Sequence, residues 1–141
     1  MSAILSPLFR KPYMLAGNSI ITVVSQATGT RFTYCIVAKK NVKEGDDSVH
    51  FVKLLNGPEN TRDYQFLGTI FAGQKYFHGK KSPISEDAPS AKAFAWLWRN
   101  LDSEDAEVWH AGKCGRCGRL LTDPESIERG LGPKCARANC A

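Results

Sequence analysis

Arg31-Phe32-Thr33-Tyr34-Cys35-Ile36-Val37 alternates apolar with polar side chains, so that Phe32, Tyr34 and Ile36 share one face. A period of two is the mark of a strand with one buried side. Upstream, Ser19-Ile20-Ile21-Thr22-Val23-Val24 is short and β-branched, and a turn around Ala27-Thr28-Gly29 makes the two segments a hairpin. Downstream, Lys39 to Asp47 is a charged loop, and Val49 to Leu55 is a third strand stopped by Asn56-Gly57-Pro58. A fourth strand runs roughly from Tyr64 to Phe71, and Ala72-Gly73 turns it into a fifth, Gln74 to His78. Short strands joined by tight turns predict a small twisted antiparallel sheet. Residues 1–18, broken by Pro7, Pro12 and Gly17, read as an irregular lead-in.

After the sheet, the periodicity changes. From Ser90 to Leu101, Phe94, Leu97, Trp98 and Leu101 fall at i, i+3, i+4 and i+7, an apolar helical stripe that would pack on the sheet, with Pro89 in its first turn. Trp98 on that stripe reads as core, whereas Trp96 lies off it and is the better candidate for an outward contact. The expected architecture is α+β: a basic antiparallel sheet domain over residues 1–101 with a helix at 88–101, then an acidic hinge from Asp102 to Glu107. A zinc-binding module over 102–141 completes it.

Four of the five cysteines lie in the last 28 residues, spaced C-x2-C-x17-C-x4-C at Cys114, Cys117, Cys135 and Cys140. No leader of the secretory type opens the sequence and no apolar run approaches the roughly 20 residues of a membrane span, so a cytoplasmic setting is expected. In that reducing setting, clustered thiols read as metal ligands. A C-x2-C pair followed by glycine forms a tight knuckle whose backbone N–H groups point at the sulfurs, and Zn2+ is the cation that suits a thiolate-rich tetrahedral site. A redox pair would instead require a C-x-x-C at a helix start in a βαβ unit, which is absent here. His110, on a strand at Glu107-Val108-Trp109, and Cys140 compete for the fourth position. If Cys135 begins a helix, Cys140 lies about 140° around it, which favours His110. Between the half-sites, Thr122 with Glu125 fits a capping box and Gly130 a helix stop. Leu121 and Ile127 would cover the small core beside the metal.

From Trp109 to Cys135 the sequence reads W-H-x-G-x-C-G-R-C-G-R-x-L-T-x-P-x-S-I-x-x-G-x-G-P-x-C. This stretch resembles a short cysteine-rich domain of unknown function found at the C-terminus of bacteriophage and bacterial proteins. The segment Phe51 to Asn60 is similar to longer phage versions. The resemblance implies a phage or mobile-element origin and a treble-clef-like or ribbon-like zinc fold. It also implies a ligand role for the histidine of the W-H pair, His110, and brings no established activity.

Function must then be argued from chemistry. Formal net charge is +5, with 13 Lys/Arg against 7 Asp/Glu over residues 1–101 and 6 against 7 over 102–141, so polyanion binding would rest on the N-terminal part. A closed thiolate site has no open position for water, and neither a nucleophile elbow, a phosphate-binding loop nor a deaminase signature is present, so no enzyme activity and no small-molecule substrate are expected. The leading expectation is a small zinc-finger-like phage protein that docks in the host cytoplasm on a nucleic-acid-processing complex, with inhibition of that complex as one outcome. The alternative is direct binding of single-stranded DNA or RNA. In that case Phe32, Tyr34, Phe51 and Phe66 would stack, and Lys39, Lys40, Lys43, Lys75, Lys80 and Lys81 would follow the phosphates.

Overall fold

A computed structural model describes residues 3–26, 28–40, 43, 45–57 and 63–136. It is an α+β fold built on one seven-stranded sheet in which every neighbouring pair is antiparallel. In chain order the elements are β1 (Ala3–Leu5), α1 (Pro7–Met14), β2 (Asn18–Ser25), β3 (Arg31–Ala38), β4 (Val49–Leu55), β5 (Tyr64–Phe71) and β6 (Lys75–His78). They continue with α2 (Pro89–Arg99), β7 (Ala106–His110), α3 (Pro124–Arg129) and α4 (Pro133–Ala136). Across the sheet the order is β1-β7-β2-β3-β4-β5-β6. β2 to β6 thus form a meander, and α2 carries the chain back so that β7 enters between β2 and β1.

Alternation decides which side is buried. Ile21, Tyr34, Ile36, Val52, Ile70 and Val108 are all fully buried on one face, where Phe94, Leu97 and Trp98 of α2 and Tyr13 and Met14 of α1 join the same cluster. The Trp98 indole N–H donates to the Gln74 carbonyl at 3.0 Å, which satisfies the polar end of a core residue. Opposite Val52 and Lys53 the register slips, with Gly68 and Phe66 as successive partners, so Leu67 is the extra residue of a bulge.

Two expectations change. Residues 3–14 are ordered as a strand and a helix, because β1 pairs with β7 and the Arg10, Tyr13 and Met14 face of α1 is buried. Pro7 at the first turn suits the helix start. Second, the sheet extends beyond Leu101: β7, counted by sequence with the zinc module, lies between β1 and β2. Arg10 secures that return, donating to the carbonyls of Leu101 (3.1 Å), Ser103 (2.7 Å) and Ala106 (2.8 Å). No helix among the described residues is long and apolar enough to cross a membrane.

Candidate metal centre

Past His110 the chain leaves the sheet and folds back on itself. Lys113 bridges Leu120, the Cys114 N–H donates to the Arg119 carbonyl at 2.8 Å, and the Gly118 N–H donates to the Cys114 carbonyl at 2.9 Å. This is the tight knuckle that the spacing of Cys114 and Cys117 predicts, and Gly118 adopts the left-handed φ of +76° the turn requires. α3 then leads to Gly130, which ends it at a φ of +75°, and α4 presents Cys135. The cap of α3 is Asp123, whose carboxylate accepts from the Ser126 N–H at 3.0 Å, one residue later than the expected Thr122.

The fold brings Cys114, Cys117 and Cys135 together, with their sulfurs all within 4.8 Å of one another. A tetrahedral metal with bonds near 2.3 Å separates its sulfur ligands by about 3.8 Å, so the trio has the geometry to hold a metal ion with little adjustment. Cys114 and Cys135 are buried and Cys117 is exposed. Burial pushes the Cys114 thiol up, but the N–H groups of Cys117, Gly132 and Arg116, together with the Cys117 thiol, point at its sulfur and leave it below its ordinary value on balance. Convergent donors of this kind favour a thiolate, which is the ligating form. Cys135 takes part in a disulfide in this structure. Oxidised and metal-bound forms exclude each other, so Cys135 would serve a metal only after that bond is reduced. Leu121, Ile127 and Leu131 pack on the buried cysteines as a small second core.

His110 does not join the trio. Its ring is buried, Nδ1 accepts from the Gly112 N–H at 3.0 Å, and Nε2 donates to the Ile127 carbonyl at 2.6 Å. Burial lowers its pKa while the bond to Ile127 acts against this, and the net result favours the neutral ring. In this arrangement the imidazole ties β7 to α3 and packs on Tyr13, with ring centroids 5.4 Å apart. Cys140 lies outside the described residues.

The six lysines proposed as contacts are all exposed, and they do not form one patch. The Lys39 N–H donates to the Val49 carbonyl and Val49 pairs with Phe71, which pairs with Lys75, so Lys39 and Lys75 share one end of the sheet. Lys40 and Lys43 continue from that end, whereas Lys80 and Lys81 follow β6 at the other. The aromatic residues divide as well. Tyr34 is core, its hydroxyl donating to the Ser90 carbonyl at 2.6 Å, and Phe32 packs beside it. Phe51 and Phe66 are half-buried on the opposite face of the sheet. Trp96 is half-buried and lines two clefts of about 780 and 850 Å³ on either side of α2.

Among known proteins, residues 105–139 match a family of unknown function, DUF6011. That segment begins at the approach to β7 and contains all three clustered cysteines. No curated protein and no solved structure matches the chain.

Proposed function

We propose that this chain is a non-enzymatic, zinc-stabilised binding protein that docks on a nucleic-acid-processing complex of a phage or its host. The observation that carries the metal half of the reading is the sulfur trio with backbone N–H groups directed at Cys114. Such a set suits a closed structural Zn2+ in a treble-clef-like module, with one knuckle from a hairpin and one cysteine from a short helix. The tail has only a few buried apolar residues of its own, so the metal would supply much of its folding free energy. Support for Cys140 over His110 as the fourth ligand comes from the two backbone hydrogen bonds that occupy both ring nitrogens of His110.

The metal half of the reading is tested on the purified full chain under reducing conditions by elemental analysis. One zinc per chain is expected, lost in Cys114→Ser and Cys135→Ser together with protease resistance of the tail. Cys140→Ser should weaken zinc retention more than His110→Gln. Metal-free protein with an equally resistant tail overturns it. The docking half is tested by affinity capture from phage-infected cells after nuclease treatment, where recovery of nucleic-acid-processing subunits supports the reading and their absence refutes it.

A further inference from the structure

The helices α1 and α2 pack on one side of the sheet, and among the described residues none packs on the other. That open side is least like an ordinary polar surface over β4, β5 and β6. Register places Phe51, Lys53, Phe66, Phe71, Lys75 and Phe77 there together: Lys53 opposes Phe66, Thr69 opposes both Phe51 and Phe77, and Phe71 opposes Lys75. Phe51 and Phe66 meet edge to face at 6.4 Å, and Phe71 and Phe77 do so at 5.7 Å. Phe71 and Phe77 are 45% and 53% exposed, unusual for side chains of this size. Each aromatic pair therefore has a lysine in register beside it, and none of the described β4–β6 strand residues that register places on this face is a carboxylate.

We infer that the open face of β4–β6 binds a single strand of nucleic acid, with bases stacking on the two phenylalanine pairs and phosphates meeting Lys53 and Lys75. This inference goes beyond the proposed function above: it adds a surface for nucleic acid itself, and its failure would leave the docking on a protein complex to be decided by its own test. Charge complementarity selects the occupant. A surface that only met another apolar protein face would gain nothing from two lysines set among its aromatic rings, whereas a single strand presents both flat bases and phosphates. A duplex hides its bases inside its own stack and offers the phenylalanine pairs no free face to stack on. From Phe71 to Phe66 the path covers about 17 Å along β5. Its two ends continue towards Lys39 and towards Lys80, so the lysines that looked scattered lie at the entry and the exit.

Fluorescence anisotropy with labelled 20-nucleotide oligo-dT, oligo-rU and a duplex of equal length, at 25 to 300 mM KCl, tests this on the full chain. Single strands should bind more tightly than duplex, with log affinity falling linearly in log salt. Phe51→Ala and Phe77→Ala should each weaken binding about tenfold, as expected for a lost stacking contact. Lys53→Ala and Lys75→Ala should each reduce the salt slope by about 0.7. Lys113→Ala, in the tail beyond β7 and far across the sheet from β6, should change neither, and thermal melts confirm that each variant folds. No binding at 25 mM KCl, equal binding of the duplex, or indifference to all four face variants overturns the inference. So does a dimer in light scattering that Phe77→Ala dissociates, since the face would then be closed by a second copy. Normal zinc content with no oligonucleotide binding would refute this inference and leave the metal reading intact.

Discussion

Tyr13 anchors the tail from outside it. Its ring lies against His110, and a Cβ placed on either Gly115 or Gly130 would collide with that ring. The tail therefore docks on α1 through two glycines and on β2 through the Asn18 N–H bond to the Gly115 carbonyl at 2.7 Å, while the Gly115 N–H bond to the Gly130 carbonyl at 2.9 Å holds the two glycines together. A double-mutant cycle separates contact from backbone strain. Gly118 and Gly130 have nearly equal positive φ, but a Cβ on Gly118 meets open space. Gly118→Ala should thus cost only the left-handed penalty, about 1–2 kcal/mol. Gly130→Ala adds overpacking against Tyr13, for a total of about 2–5 kcal/mol. In a Tyr13→Ala background the two glycine substitutions should cost the same. Urea unfolding at saturating zinc measures all five variants, and equal costs in the presence of Tyr13 would show that the ring is not what holds the tail.

At the scale of elements, the β5–β6 hairpin carries a small strain that can be relieved. Ala72 sits at φ +54° and Gly73 at φ +63°, with the Gln74 N–H donating to the Phe71 carbonyl at 3.0 Å. Two successive left-handed residues define the hairpin turn that favours Asn-Gly. Ala72→Asn should raise stability by about 0.5–1 kcal/mol, because asparagine tolerates this conformation better than alanine. Chemical denaturation reads the gain, and a loss would mean the turn adopts another form in solution. This hairpin was legible in the sequence, as were the other strands of the meander, because each alternates over one buried face and ends at a turn residue. α1 was hidden by Pro12, which usually excludes a helix interior, and β1 by its three-residue length. The cap of α3 was misplaced by one because Thr122 and Asp123 are both competent caps and only the fold selects between them. The cysteine trio was readable from spacing alone. The engagement of His110 was not, since its partner carbonyl at Ile127 lies 17 residues away.

At the scale of the molecule, what matters most is the return of β7 to the middle of the sheet. Its local sequence gives no hint of its neighbours, because pairing with β1 and β2 is fixed by burial of Val108 and Ala106 across long chain separations. The sheet and the cysteine-rich tail are therefore joined by a shared strand, and a cut placed between them by composition would fall inside the folding unit. A chain ending at Leu101 would lose β7, leave β1 without its partner and β2 with an open apolar edge, and strip the Ser103 and Ala106 carbonyls from the buried Arg10 guanidinium. Each buried polar group left unpaired costs about 1–3 kcal/mol, a large fraction of the stability of a domain this size. That chain should show no cooperative thermal transition and should associate through the exposed β2 edge. A chain ending at Gly112 keeps β7 and Arg10's partners. It should melt cooperatively, at a lower temperature than the full protein because Tyr13 loses its cover of tail glycines. Circular dichroism melts of the two truncations, read beside light scattering, decide the matter: a cooperative, monomeric 1–101 chain would show that β7 belongs to the tail alone.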